Sequence, residues 1–137
     1  MKTIDMQVMR YINLFSRISG VEPKHCFIYN YTLIVVVPQA GLSKAIGEEG
    51  KNIRTMSEVI NKKVKVAIAP NGVQDAEKFI STIIYPVQMK SVEIRDNFLV
   101  INAGSQNKAM LIGRNKARFD EMRKIVKDYF GKELKIL

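Results

Sequence analysis

The chain has 137 residues, 47% apolar and 26% charged, which suits one ordinary domain or two very small ones and excludes a disordered chain. Lys and Arg outnumber Asp and Glu by 22 to 13, and this net charge of +9 favours a polyanionic partner over an anionic membrane surface. The single cysteine, Cys26, excludes an intramolecular disulfide, and with one histidine it cannot build a typical structural zinc site. We expect neither a metal ion nor a cofactor.

No stretch of the sequence has the pattern of a signal peptide or a membrane span. The chain opens Met-Lys-Thr-Ile-Asp without an apolar h-region. The longest uninterrupted apolar run, 33–37, is far too short to cross a bilayer. We expect a soluble, cytoplasmic protein that has no membrane partner and is a monomer.

Apolar periodicity divides the first half of the chain into helices and strands. The continuous apolar run before Pro38 predicts a strand buried on both faces, whereas 63–68 alternates as a half-buried strand does. The predicted elements are a helix at 4–18, strands at 26–29 and 32–37 joined through Asn30-Tyr31, two short helices on either side of Gly47, and a strand at 63–68.

The second half repeats this order after a turn signal at Pro70-Asn71-Gly72. Its predicted elements are a helix at 73–84, strands at 91–95 and 98–102, helices at 106–112 and 116–130, and a strand at 133–137. Leu33-Ile-Val aligns with Leu99-Val-Ile, and Ala45-Ile-Gly with Leu111-Ile-Gly, both at a shift of 66 residues. A shared shift together with a shared element order indicates duplication.

The turn Gly47-Glu48-Glu49-Gly50 separates the two short helices of the first half. Glycines three apart allow a sharp turn and leave no Cβ between the backbone and an approaching ligand. The helix that follows begins with free N–H groups and a partial positive charge, which suits a phosphate. This is the mechanics of a GxxG nucleic-acid clamp.

This element order, with a GxxG between the two central helices, resembles the KH domain in its type II (prokaryotic) arrangement. Two such units in tandem resemble the archaeal NusA-like transcription elongation and termination proteins. The resemblance implies an α+β fold of two tandem KH domains at 1–70 and 71–137, each an αββααβ unit with a three-stranded sheet packed against three helices. It also implies binding of single-stranded RNA, as a transcription elongation, termination or antitermination factor acting on nascent RNA, with RNA polymerase as a protein partner.

The residues that the resemblance places at the RNA lie in and around the two glycine turns. Around the first turn they are Lys44, Ile46, Gly47, Glu48, Glu49, Gly50, Lys51, Arg54, Lys63 and Lys65. Around the second they are Lys108, Gly113, Arg114, Asn115, Lys116 and Arg118.

Two features depart from the KH pattern. Glu48 and Glu49 put negative charge where a phosphate should pass, although acidic residues at a helix N-terminus also favour the helix dipole. Lys116 replaces the last glycine of the second clamp, bringing a cation but also a Cβ. The second turn therefore either holds RNA differently or packs chiefly against the first unit.

Other interpretations compete with RNA binding. Arg123, Lys124 and Lys127 fit a solvated helix face. His25-Cys26 is the only pair that suggests catalysis, but neighbours in a strand point to opposite faces, so we expect no enzyme. Two alternatives stay open: a protein-interaction module that docks on RNA polymerase or a ribonucleoprotein, and a KH protein of RNA processing or ribosome biogenesis.

Overall fold

The computed structural model describes residues 5–137, so residues 1–4, where the predicted first unit and its first helix begin, lie outside the described part. Within residues 5–137 the fold is α+β, with two three-stranded sheets and six α-helices. This architecture is consistent with tandem KH-like units. The chain divides into two compact units, the first ending at Ala69 and the second beginning at Pro70.

The first unit is a three-stranded sheet with three helices. Its elements are α1 (Met6–Ser19), β1 (His25–Tyr29), β2 (Thr32–Val37), α2 (Leu42–Ile46), α3 (Lys51–Ile60) and β3 (Lys63–Ile68). The strand order is β1-β2-β3, with β1 antiparallel to β2 and β3 parallel to it, so β3 is an edge strand. Helix α1 begins where the Asp5 carboxylate accepts a 2.8 Å hydrogen bond from the Val8 amide.

The central strand β2 organises the core of the first unit. Leu33, Val35 and Val37 pack in one apolar cluster with Phe15 of α1 and Met56 of α3. All residues from Leu33 to Val37 are buried, as the continuous apolar run predicts. The chain enters β2 through a tight hairpin at Asn30-Tyr31, where both residues adopt positive φ (50° and 61°) without a glycine.

The second unit has the same order and pairing of elements. They are α4 (Ala76–Ile84), β4 (Ser91–Arg95), β5 (Phe98–Asn102), α5 (Ser105–Ile112), α6 (Ala117–Phe130) and β6 (Glu133–Ile136). Strand β4 pairs antiparallel with β5, and β6 pairs parallel with it. The main difference is the last helix, because α6 has 14 residues and α3 has 10.

The length and composition of the helices can be compared with what a bilayer requires. Across residues 5–137, none combines the length and the apolar composition needed to cross one.

Candidate nucleic-acid interface

The turn between α2 and α3 has a backbone that ordinary residues seldom adopt. Gly47 has φ 80° and ψ 169°, and Gly50 has φ 74° and ψ 19°. Glu49, which is not a glycine, also lies in the left-handed region, at φ 53° and ψ 31°. Such a conformation costs an L-residue about 1–2 kcal/mol, so the surrounding structure must hold this turn in place.

Gly47 is fixed by lack of space as well as by its φ. A Cβ there would lie 2.8 Å from the Asn52 Nδ2 atom and 3.1 Å from the Asn52 backbone nitrogen. The side-chain amide of Asn52 donates a 2.9 Å hydrogen bond from Nδ2 to the Lys44 carbonyl, which joins the end of α2 to the first turn of α3. The two helices therefore meet so closely that only glycine fits between them.

Arg54, which lies one helical turn into α3, stabilises the first turn. Its Nη1 atom donates to the carbonyl of Glu49, the residue with the strained φ. The same guanidinium lies 3.5 Å from where a Cβ on Gly50 would project. A side chain at Gly50 would thus reach ordinary van der Waals contact rather than a clash, and its left-handed φ is what favours glycine.

The turn between α5 and α6 has the same conformation with different side chains. Gly113 (φ 77°, ψ 170°) corresponds to Gly47, and Asn115 (φ 55°, ψ 30°) corresponds to Glu49. Lys116 keeps the left-handed conformation of Gly50, at φ 61° and ψ 23°, although it has a Cβ. The missing last glycine therefore leaves the second turn unchanged in shape.

Arg118 occupies the place beneath the second turn that Asn52 has beneath the first. A Cβ on Gly113 would lie 2.7 Å from the Arg118 Cγ atom and 2.9 Å from its backbone nitrogen. The Arg118 Nε atom is 2.9 Å from a carboxylate oxygen of Glu121, and only 14% of the arginine side chain is exposed. Arg118 thus supports the turn from below, whereas Arg114 and Lys116 are exposed on it.

An open groove of about 430 Å³ lies beside Arg54, between α3 and the edge strand β3. Helix α3 contributes Ile53, Arg54, Ser57 and Glu58. The sheet contributes Thr32, Lys63, Val64 and Lys65. The lining combines the apolar side chains of Ile53 and Val64 with charged side chains, and the volume is within the usual range of ligand sites. Such a groove suits a flat apolar molecule with polar edges.

Two lysines crowd this groove on β3. Burial lowers the pKa of Lys65 from its ordinary value, and the positive charge of Lys63 lowers it further. Both effects disfavour the charged amine, and a nearby anion would relieve them. A negative charge placed beside these two lysines would therefore be favoured.

The structure brings together part of the predicted site. Arg54, Lys63 and Lys65 line one groove, and the groove begins beside the first turn. Ile46 is half-buried at the end of α2, and the apolar residues of the groove are Ile53 and Val64.

The remaining cations occupy different places. The Lys44 side chain extends toward Gly20 at the end of α1, with its Cε atom 3.1 Å from where a Cβ on that glycine would be. Lys51 is exposed at the start of α3, and Lys108 is exposed on α5.

Sequence reasoning predicted Arg54 but missed the other three residues on the α3 side of this groove. Ile53, Ser57 and Glu58, with Arg54, follow helical spacings of three and four, which places them on one face. That spacing is the available signal, but it predicts the core equally well, because Ile53 also packs against the apolar cluster.

Cys26 lies in the apolar core of the first unit. Burial, with a smaller contribution from the charge of Asp5, raises the pKa of its thiol to about 12. Its Sγ atom is 3.8 Å from the Val8 carbonyl. A thiol that stays protonated at neutral pH is a poor nucleophile, so its environment is that of a packing residue.

The chain is similar in sequence and in structure to known proteins. No family model matches the chain. The "Probable transcription termination protein NusA" of Halococcus morrhuae is 22% identical over 131 residues, which cover 93% of this chain and 92% of that protein. The crystal structure of APE1850 matches with a TM-score of 0.67 at 25% identity, over 98% of this chain and 100% of that one. Both similarities extend through the two units.

Proposed function

We propose that this protein binds single-stranded RNA through two tandem type II KH units. The observation that carries the proposal is the shared backbone of the two turns, in which Gly47 and Gly113 both lie where a Cβ would collide with the following helix. A backbone held open in this way, at the start of a helix, suits close approach by a phosphate.

The first unit supplies a place for bases beside its clamp. Phosphates pass along the turn, where Lys51 and Arg54 offset the charge of Glu48 and Glu49. KH units hold about four nucleotides in this manner. The bases lie in the adjoining groove, whose apolar residues accept their faces and whose lysines attract the backbone. Binding involves no chemical step.

The second unit grips phosphates with charges on the turn itself. Arg114 and Lys116 are exposed there, and Lys108 is exposed on the helix before it. Arg118 contributes less directly, since it is engaged with Glu121 beneath the turn.

The cellular role that fits this binding is transcription elongation or termination. The similarity to a probable transcription termination protein over 93% of the chain supports it. We infer that the ligand is nascent RNA and that RNA polymerase is the protein partner, in the cytoplasm.

Binding of a mixed-sequence single strand of about ten nucleotides, compared with matching duplex RNA, tests the proposal. That length accommodates two four-nucleotide clamps. The test variant is Gly50→Asp, which adds a negative charge to the first turn. Its matched control is Gly131→Asp, because Gly131 has a similar φ of 64°, has no atom within 4 Å of its Cβ position, and lies at the far end of α6 from the second turn.

The proposal predicts single-strand-selective binding that Gly50→Asp weakens about tenfold and Gly131→Asp leaves unchanged. It also predicts steep salt dependence, with a slope of roughly −0.7 per phosphate neutralised. Weak binding that is equal for single-stranded and duplex RNA and unchanged in both variants would contradict the proposal. The basic charge would then attract RNA only nonspecifically. A protein-interaction module would then be the better account.

A further inference from the structure

Glu58 is the one acidic residue of the groove, and the groove otherwise has the charge of a phosphate site. It lies in the last turn of α3, where a negative charge is unfavourable because the C-terminal end of a helix is already negative. It follows Arg54 by four residues, the less favourable order for an ion pair on a helix. Arg54 instead donates to the Glu49 carbonyl.

No ion pair or hydrogen bond engages the Glu58 carboxylate anywhere in residues 5–137. The KH-like fold does not need it either. At a shift of 66 residues the second unit has Lys124, and the residue that pairs with β5 as Lys63 pairs with β2 is Glu133. The same fold therefore forms with these two charges reversed, so neither helix stability nor fold accounts for Glu58.

A carboxylate in a groove that receives RNA repels the phosphates, so its favourable partner is the edge of a base. A carboxylate has two acceptor oxygens and no donor. On their Watson–Crick edges, adenine and cytosine present an amino group beside a bare ring nitrogen, and that nitrogen would face an acceptor. Uracil has one N–H between two carbonyls. Guanine alone presents two adjacent donors, N1–H and the N2 amino group.

We propose that Glu58 selects guanine at the groove of the first unit, accepting from N1–H and N2–H while a lysine of β3 donates to O6. Lys63 and Lys65 line the same groove as Glu58 and supply that donor. Charge-assisted bidentate pairing gives geometric specificity as well as energy. This inference rests on the proposed RNA binding at the same site.

The test uses ten-nucleotide uridine strands with one central guanosine, inosine, adenosine or cytidine. A uniform background allows the strand to slide until the single different base meets the groove. Inosine keeps N1–H and O6 but lacks the N2 amino group, so it isolates one of the two donors. We expect the wild-type protein to bind the guanosine strand about tenfold more tightly than the adenosine strand, with inosine between them.

Two variants of Glu58 and one control complete the experiment. Glu58→Gln removes the charge at constant shape, and Glu58→Lys introduces the residue that the second unit has there. Both should abolish the preference for guanosine while binding of plain uridine strands stays equal or improves. Glu22→Gln, an exposed change in the same unit, should keep the preference.

Equal binding of all four strands by the wild-type protein would overturn the selection of guanine and leave RNA binding standing. Survival of the preference in both Glu58 variants would do the same. Failure to bind any single strand would remove both proposals together.

Discussion

The two glycine turns have one backbone and two different distributions of charge. Both begin with a glycine at φ near 80°, continue through a left-handed non-glycine residue, and end left-handed at the fourth position. The first turn carries two glutamates and is braced by Arg54 from the following helix. The second carries Arg114 and Lys116, and the residue at a shift of 66 from Arg54 is Asp120.

The comparison separates the residue that determines the shape of such a turn from the residues that determine its charge. The first glycine shapes it, because a Cβ there would strike the residue five positions later in both units. The fourth position accepts a lysine, so it does not determine the shape. Charge can then be placed on the turn, as in the second unit, or beside it on α3 and β3, as in the first.

The largest expected effect comes from filling the first position of either turn. Gly47→Ala and Gly113→Ala each place a Cβ within about 3 Å of backbone and side-chain atoms, at a φ that disfavours alanine. We expect each to lower the free energy of unfolding by about 2 kcal/mol, measured in urea. Gly131→Ala, where the Cβ meets no atom within 4 Å, should cost about half as much. Equal losses at all three positions would mean that the close contact has no role.

The second-largest expected effect is on RNA affinity, when the charges of the two turns are exchanged. Glu48→Arg with Glu49→Asn gives the first turn the central residues of the second, and Arg114→Glu with Asn115→Glu does the reverse. We expect affinity to rise about tenfold in the first variant and to fall about tenfold in the second. The salt slope should change by roughly 0.7 for each phosphate whose neutralisation is added or removed. Unchanged salt slopes in both variants would show that the RNA phosphates do not contact the turns.

The sequence predicts the strands, helices and hairpin well, because these depend on patterns within short stretches of the chain. Apolar periodicity and the shift of 66 residues predict the strands of residues 5–137 and the helices α1, α4, α5 and α6 to within a few residues, because burial enforces the pattern. For α2 and α3 the sequence predicts only two short helices on either side of Gly47, without bounds. The hairpin at Asn30-Tyr31 also follows from its length, even without a glycine.

The side chains around the turns depend on contacts that no sequence pattern specifies. The resemblance places Arg54 among the RNA-binding residues, and the structure shows it bonded to the Glu49 carbonyl as well as lining the groove. Lys44, predicted beside the clamp, extends toward Gly20. Long flexible side chains have several partners within reach, and tertiary packing chooses between them. The left-handed conformation of Lys116 is equally hidden in the sequence, since lysine has no preference for it.

A smaller effect is expected from substitutions at the fourth residue of each turn, where stability and RNA affinity should change independently. Lys116→Gly relieves a left-handed lysine, so we expect stability to rise by up to about 1 kcal/mol while RNA affinity falls with the lost cation. Gly50→Ala should lower stability by a similar amount. Urea unfolding and RNA binding measured on the same samples would reveal the opposite signs, and a parallel fall of both quantities in Lys116→Gly would contradict this account.

The smallest expected effect is at Lys65. Its folded-state pKa lies below the ordinary value of 10.5, so between the two values the unfolded chain binds more protons and stability rises with pH. Lys65→Met should remove this dependence, slightly raise stability at neutral pH, and weaken RNA binding. Urea midpoints at about pH 7 and about pH 10, compared between wild type and variant, measure it. A larger pH dependence in the variant would reverse the assigned sign.

The most direct test of the central claim is an amide NMR titration with a ten-nucleotide single-stranded RNA. It would follow the resonances of Gly47, Gly50 and Gly113, with Gly131 as the internal reference. If both turns hold RNA, all three clamp resonances shift and saturate together, Gly131 stays in place, and duplex RNA at the same concentration has little effect. If the clamp glycines stay fixed while resonances elsewhere on the surface shift, RNA binds without the turns, and the shared backbone is not the basis of function.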